Sequence, residues 1–174
     1  MSFSVALVVA SDKAARGERT DSCVAAMRQE LPGEFSIASE TIVEDDYVAL
    51  QTLFKKLIDV DRVDCVIVSG GTGLGPRDVT PQAIHAVIDY EIPGIGEAMR
   101  AAHAARIPTA ILSRSIAGVR KHTLIIAVPG SPNGARESLA VIAGILPHAL
   151  GLLRGEIGEH SVDVKSTAPK STAT

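Results

Sequence analysis

The chain has few aromatic residues and no tryptophan. Aromatic side chains make up 3% of its 174 residues, and the formal net charge is -3. Surfaces that bind polymeric nucleic acid combine positive charge with aromatic side chains on which bases stack. The composition therefore argues against DNA or RNA as a partner, while a single nucleotide stays compatible with it.

Cysteine is scarce as well. Cys23 and Cys65 lie in apolar segments, with neither a CxxC motif nor a metal-like Cys/His spacing, which is typical of reduced core residues. The apolar run Phe3–Ala10 has no basic start and is too short for a secretion signal or a membrane span. We therefore predict a cytoplasmic protein without a membrane partner.

The chain contains a regular alternation of short apolar runs and helical patterns. A hydrophobic content of 46% and this length fit one domain. The predicted strands are Phe3–Ala10, Phe35–Val43, Asp64–Gly70, Thr109–Ser113 and Thr123–Gly130. Strand, helix and strand in repeated order predict a three-layer α/β/α domain with a mostly parallel sheet. We place this domain at residues 1–157 and a disordered polar tail at 158–174.

Helix boundaries can be predicted at three places. Thr80 before Pro81 and Ser131 before Pro132 each read as an N-cap residue with proline at the first helical position. Both pairs follow predicted strands, so they should lie at the carboxyl edge of the sheet, where doubly wound folds bind ligands. Pro147 predicts a kink or break in the last helical segment.

A glycine-rich loop follows the central predicted strand, with the sequence SGGTGLGPRDVTPQA from Ser69 to Ala83. Gly71, Gly73 and Gly75 permit positive φ and close backbone approach, so their N–H groups can cradle a phosphate. The loop lacks the lysine of an ATPase P-loop and does not match GxGxxG. On spacing alone, a purely structural turn explains it equally well.

Acidic residues occur in this loop and at a second strand-to-helix turn. Asp78 would repel a bound anion unless a metal ion or a neutral donor lies between them; the alternatives are an ion pair with Arg77 or an Asx turn. Glu44, Asp45 and Asp46 would favour the helix dipole without any catalytic role. Together with Asp78, they could instead hold Mg²⁺ on a nucleoside triphosphate.

Two further loops at the same predicted edge are rich in hydrogen-bond donors. Residues 112–123 and 128–137 carry Ser113, Arg114, Ser115, Arg120, Lys121, Ser131 and Asn133. These donors suit a phosphate or a polar heterocycle, and ordinary capping and solvated charge explain them equally well.

Four motifs in this order resemble one known family. They are SGGTG with PRDVTP at 69–81, PGIGEAMR at 93–100, LSRSIAG at 112–118 and TLIIAVPGSPN at 123–133. The chain from about residue 4 to 155 resembles the MogA/MoaB group of molybdenum cofactor biosynthesis proteins, which includes the G domains of gephyrin-type proteins. The resemblance implies the MogA-like α/β fold.

The resemblance also implies an activity. Enzymes of this group act as molybdopterin adenylyltransferases, which transfer AMP from MgATP to the phosphate of molybdopterin and release pyrophosphate. A molybdopterin-binding protein without the transfer step is the main alternative, and an interaction scaffold is a third. Asp45 and Asp78 match the two catalytic aspartates and would also hold the Mg²⁺. Because Glu44 stands where proline is common, the choice between Asp45 and Asp46 stays open.

The remaining site residues follow from the same motifs. The resemblance assigns nucleotide binding to Ser11, Asp12, Gly70, Gly71, Thr72 and Gly73. It assigns molybdopterin binding to Arg77, Thr80, Ser113, Arg114, Ser115, Gly118, Gly130, Ser131, Pro132 and Asn133. It further implies a homotrimer or hexamer and the molybdenum insertase of the same pathway as a partner. The alanine-rich segment 94–105 could pack against a neighbouring subunit or within its own.

Overall fold

The computed structural model describes residues 2–156, so the predicted tail at 158–174 lies outside the described residues. The strands are β1 (Phe3–Ala10), β2 (Phe35–Val43), β3 (Cys65–Ser69), β4 (Tyr90–Glu91), β5 (Ala117–Arg120) and β6 (Thr123–Val128). The α-helices are α1 (Asp12–Ala15), α2 (Cys23–Glu30), α3 (Tyr47–Lys55), α4 (Thr80–His85), α5 (Pro93–Ala104), α6 (Pro132–Ile142) and α7 (Leu146–Leu153).

The strands form one six-stranded mixed sheet in the order β2-β1-β3-β6-β5-β4. The pairs β1–β2, β1–β3 and β3–β6 are parallel. The pairs β5–β6 and β4–β5 are antiparallel. The prediction of a mostly parallel sheet is therefore confirmed, with an antiparallel edge added to it.

Helices cover both faces of this sheet. β3 and β6 are buried along their whole length, because side chains on both faces meet helices. One core cluster includes Leu7 and Ile67 and packs under α2, α5, α6 and α7. The other includes Val8 and Val66 and packs under α3 and α4. The predicted three-layer architecture is confirmed.

The predicted strand at Thr109–Ser113 is wrong. This segment forms a 3₁₀ turn, Pro108–Leu112, and Ile111 and Leu112 are exposed at 66% and 50%. The strand in this part of the chain is β5, which sequence reasoning missed. β5 is short and turns straight back into β6 at Lys121, whose φ is 54°. Its hydrophobic pattern is therefore too short to stand out.

The predicted break in the last helical segment is confirmed. A 3₁₀ turn, Ala143–Ile145, separates α6 from α7. By length and composition alone, residues 132–153 could cross a membrane, but core helices of soluble proteins meet the same criterion. Leu139, Ile142, Leu146 and Leu150 of this segment are buried in the core cluster under α6 and α7.

Candidate functional site at the carboxyl edge of the sheet

The ends of β1, β3 and β6 meet closely at the carboxyl edge. Gly70 and Gly71, directly after β3, have φ values of 107° and 62°. A Cβ on Gly70 would lie 2.2 Å from the carbonyl oxygen of Ala10. A Cβ on Gly130, after β6, would lie 2.9 Å from the Cα of Gly70. Only glycine allows the three strand ends to approach this closely.

Farther along the loop, the glycines make room for a carboxylate. Gly73 and Gly75 do not have positive φ, although the sequence permitted it. A Cβ on either would lie 2.8 Å from Oδ2 of Asp78. The N–H of Gly75 donates to that oxygen at 2.7 Å. The glycine-rich loop is therefore folded around the side chain of Asp78.

Asp78 and Asp45 line the same cavity of about 120 Å³, which we call the small cavity. Ser11, Gly70 and Gly71, which the resemblance assigned to the nucleotide, also line it, together with Gly130, which the resemblance assigned to molybdopterin. Sequence reasoning missed the other polar side chains in its lining, which are those of Arg19, Asp21 and Cys23. Cys23 had been assigned to the core, and it is indeed only 3% exposed.

The geometry distinguishes between the two candidate aspartates after β2. Asp46 is the N-cap of α3, where its side chain accepts hydrogen bonds from the N–H groups of Val48 and Ala49. Asp45 instead faces the small cavity. Of the pair, Asp45 is thus the carboxylate that lies beside Asp78.

A reciprocal pair of hydrogen bonds fixes Asp45. Its Oδ2 accepts from the N–H of Asp12 at 3.0 Å, and its own N–H donates to Oδ1 of Asp12 at 3.1 Å. Burial raises the pKa of Asp45; the hydrogen bond from Asp12 opposes this shift, and the charges of Asp12 and Asp78 add to it. Such clustered carboxylates favour the approach of a cation.

Arg77 is engaged within the protein. Its guanidinium donates two hydrogen bonds to Asp12, at 3.0 and 2.8 Å, and these bonds hold the pKa of Asp12 below its ordinary value. Arg77 lines neither cavity of the site, although the resemblance assigned it to molybdopterin. The sequence also allowed an ion pair between Arg77 and Asp78, but Arg77 pairs with Asp12 instead.

Next to the small cavity lies a larger one of about 500 Å³, which we call the large cavity. Gly130 lines both. The residues predicted for ligand binding that line the large cavity are Thr72, Gly73, Ser113, Ser115, Gly130 and Ser131. Ser131 is also the N-cap of α6, as predicted, and accepts from the N–H of Gly134 at 3.1 Å.

Other residues assigned to molybdopterin lie outside the large cavity. Arg114 donates to the carbonyl oxygens of Gly73, at 2.7 Å, and Asp78, so it braces the glycine-rich loop. Gly118 lies in β5, where a Cβ would come within 2.6 Å of Cδ1 of Ile88. Pro132 and Asn133 form the first turn of α6 without lining either cavity.

The predicted N-cap at Thr80 is wrong by one residue. Val79 is the N-cap of α4, and Thr80 is the first helical residue. Thr80 is fully buried, and its Oγ1 has no hydrogen-bond partner among residues 2–156. The side chain fills the space beside Gly71, where a Cβ would lie 2.3 Å from this oxygen.

Helices α5 and α6 contribute lining residues that sequence reasoning did not assign. Arg100, His103, Glu137 and Ser138 line the large cavity. Arg100 lies within the quoted motif PGIGEAMR, so that motif already carried a signal. His103 lies in the alanine-rich segment 94–105 and Glu137 ends the segment 128–137, but nothing in the sequence assigned these residues or Ser138 to a ligand site.

Comparison with known proteins identifies the family. Residues 6–148 match the family described as a probable molybdopterin binding domain. The chain belongs to this family. It is 36% identical over 186 residues to a molybdopterin adenylyltransferase of Haemophilus influenzae, covering 97% of this chain and 94% of that protein. A molybdopterin adenylyltransferase of Escherichia coli is 34% identical, with 96% and 94% covered.

Solved structures agree with this assignment to the MogA/MoaB group. The molybdopterin biosynthesis enzyme MoaB from Thermus thermophilus superposes with a TM-score of 0.84 at 44% identity, covering 88% of this chain and 97% of that one. The Mog protein from Mycobacterium ulcerans gives 0.78 at 34% identity, with 89% and 99% covered. The fold of this chain, a mixed sheet with helices on both faces, therefore matches the folds of these proteins.

Proposed function

We propose that this protein is a molybdopterin adenylyltransferase. It would transfer AMP from MgATP to the terminal phosphate of molybdopterin and release pyrophosphate. One observation carries the proposal: the small cavity, with Asp45 and Asp78 in its lining, adjoins the large cavity, and Gly130 lines both. Two substrates bound in adjoining cavities can present their phosphates to each other at the shared wall.

The chemistry needs alignment more than a base. A phosphate monoester is already an anionic nucleophile, so its oxygen attacks the α-phosphorus of ATP while the bond to pyrophosphate breaks. Holding the two groups in line and neutralising their charge provides most of the acceleration. Rigid strand ends joined by glycines suit that task, because they fix the distance between the cavities.

The nucleotide phosphates would lie in the small cavity against Gly70 and Gly71, with Ser11 in the same lining and Asp12 bonded to Asp45 beside it. Thr72 and Gly73 line the large cavity, so they would face the nucleotide only where the two cavities adjoin. The small cavity has room for phosphate groups, so the ribose and base would lie on the surface next to it. Molybdopterin would occupy the large cavity, with its phosphate near Gly130 and the positive end of α6. Ser113 and Ser115 would donate to its polar groups from the opposite wall.

Asp45 and Asp78 are the residues that would hold Mg²⁺. Among residues 2–156 no group of three or more His, Cys, Asp or Glu side chains could hold a metal by itself. Two carboxylates suit an ion that keeps waters and takes its other ligands from substrate phosphate. Bound there, Mg²⁺ would offset negative charge as the phosphoryl oxygens react.

The alternative is a molybdopterin-binding protein without the transfer step. The pairing of Asp45 with Asp78 favours the enzyme, because two carboxylates beside a phosphate would weaken simple binding. We further propose a cytoplasmic homotrimer, with a hexamer as the alternative, and the molybdenum insertase of the same pathway as the protein that receives the product. Gel filtration with light scattering measures the subunit number.

Pyrophosphate release from MgATP by purified protein, with and without molybdopterin, tests the function. We expect release only when both substrates are present, and a fall of about 100-fold in Asp78→Asn. Asparagine keeps an acceptor for the N–H of Gly75 but removes the charge. Glu44→Gln, an exposed neighbour of Asp45, is the matched control and should keep full activity. Molybdopterin binding without pyrophosphate release would establish the non-catalytic alternative.

A further inference from the structure

The large cavity contains one carboxylate among its lining residues, Glu137 of α6. The side chain of Glu137 is 29% exposed. Glu137 lies six positions after Ser131, which corresponds to a rise of about 9 Å along the helix. Glu137 therefore lies well away from the end of the large cavity that adjoins the small one at Gly130.

The two oxygens of Glu137 differ in their surroundings. Oε2 accepts from the guanidinium of Arg106 and lies 3.8 Å from Nδ1 of His103. No hydrogen bond reaches Oε1 from any residue in the part of the chain that the structure describes, residues 2–156. Arg106 is 63% exposed, so solvent screens its pairing with Glu137. Contacts to Oε2 therefore hold the carboxylate in place, while Oε1 receives no hydrogen bond from residues 2–156.

His103 is itself positioned by a buried hydroxyl. Oγ of Ser138 lies 3.4 Å from Nε2 of His103, and Ser138 is 1% exposed. The imidazole of His103, on α5, thus lies against both Ser138 and Glu137 of the adjacent helix α6. This contact restricts the orientation of Glu137 relative to the cavity.

Resting on the proposed function, we infer that Glu137 binds the pterin ring of molybdopterin. One edge of a pterin presents two donors side by side, a ring N–H and the adjacent amino group. An ionised carboxylate offers two acceptor oxygens with about four lone pairs, so Glu137 can accept from both donors while Oε2 still faces Arg106. The paired geometry matches that of a carboxylate with a guanidinium fork.

The position of Glu137 agrees with the direction in which molybdopterin must lie. The reacting phosphate belongs near Gly130, where the two cavities adjoin. The fused rings of molybdopterin separate this phosphate from the amino edge of the pterin. Helix α6 would then contact both ends of the substrate, the phosphate through its N-terminus and the pterin through Glu137. Leu112, which lines the large cavity and is half exposed, would provide apolar surface for a ring face.

The test is the affinity for molybdopterin, measured anaerobically by titrating the fluorescence of its pterin ring with wild type and Glu137→Gln. Glutamine would place one donor and one acceptor against two donors. We expect the dissociation constant, and likewise KM for molybdopterin, to rise about tenfold or more. The KM for MgATP and kcat at saturating molybdopterin should stay unchanged.

Arg106→Ala separates pterin binding from a purely structural role. If Glu137 only joins α5 to α6, both variants lower the melting temperature alike and neither changes the affinity. If it binds the pterin, Arg106→Ala keeps its affinity within about twofold of wild type while Glu137→Gln loses it. Wild type that binds molybdopterin no better than Glu137→Gln would overturn the inference. Wild type that binds none would instead remove the proposed function.

Discussion

The two edges of the sheet use carboxylates in opposite ways. At the carboxyl edge, burial raises the pKa of Asp45, and its neighbours Asp12 and Asp78 add negative charge. At the amino edge, Asp59 and Asp64 each face an arginine, and the pKa of both is lowered. Charge that is paired within the protein stabilises the fold, as it also does for Asp12 with Arg77, whereas the charges of Asp45 and Asp78 are available to a ligand.

At the amino edge, Asp64 is paired with Arg154 through both of its carboxylate oxygens. Arg154 donates to both carboxylate oxygens of Asp64, at 2.8 and 2.7 Å, and lies 4.5 Å from the ring centroid of Phe3. Burial acts to raise the pKa of Asp64, but the hydrogen bonds from Arg154 and Ser4 hold it below its ordinary value. The two edges therefore predict opposite responses to the removal of charge.

The largest effect is expected for Asp45→Asn. Turnover should fall about 100-fold, equivalent to about 2.7 kcal/mol in the barrier. Stability at neutral pH should stay equal or rise, because ionising a carboxylate whose pKa is raised by folding costs free energy. Pyrophosphate release and urea denaturation measure the two quantities on the same sample.

The pH dependence of Asp45→Asn gives the control. Because burial raises the pKa of Asp45 in the metal-free protein, acidification should begin to weaken Mg²⁺ binding by wild type at a pH above the ordinary value of 3.8. Any stability advantage of Asp45→Asn should disappear at acid pH, where wild type is protonated as well. If Asp45→Asn kept wild-type turnover, the catalytic charge would lie elsewhere, and the proposed difference between the two edges of the sheet would be contradicted.

An intermediate effect is expected for Arg154→Gln at the amino edge. Asp64, whose side chain is 16% exposed, would lose its charged partner, so the free energy of unfolding should fall by about 1–3 kcal/mol. Turnover at a permissive temperature should not change. Arg16→Gln removes an exposed pair with Glu18, at 52% and 53% exposure, and should be nearly neutral. Equal stability loss in both variants would contradict the special role of the Asp64 pair.

The smallest effect is expected for Asp59→Asn. Hydrogen bonds from Arg120 and Lys121 lower the pKa of Asp59 to about 2 from 3.8. The stabilisation from this carboxylate is therefore complete above pH 3.8 and is lost as the pH falls toward 2. Asp59→Asn should be slightly less stable than wild type at neutral pH, and the difference should vanish in acid. Urea denaturation at several pH values measures it, and a constant difference would contradict the pairing.

Much of the fold could be predicted from the sequence because long apolar patterns dominate it. β1, β2, β3 and β6 follow such patterns, and Ser131 with Pro132 marks the start of α6. The segment Thr109–Ser113 imitates a strand through its apolar composition, yet nothing in the sheet pairs with it. Local patterns do not show which short segments find partners.

The site was predictable where backbone chemistry defines it and less so where side chains meet across helices. A glycine with positive φ and an aspartate in the same loop could be predicted from the sequence, as Gly71 and Asp78 show, whereas the positive φ expected for Gly73 and Gly75 is not found. By contrast, Arg114 is engaged by backbone carbonyls, and only three-dimensional proximity reveals this. His103 and Glu137 come from separate helices, and their contact depends on how α5 and α6 pack.

The contact between Gly130 and Gly70 has a consequence for how such a protein can change over time. The boundary shared by the two cavities has no side chain, and a Cβ at either glycine would collide with backbone. Substitutions can reshape the lining of either cavity while this boundary keeps its thickness. Specificity for each substrate can therefore change independently. The distance between the reacting groups of the two substrates is set by the backbone and stays the same.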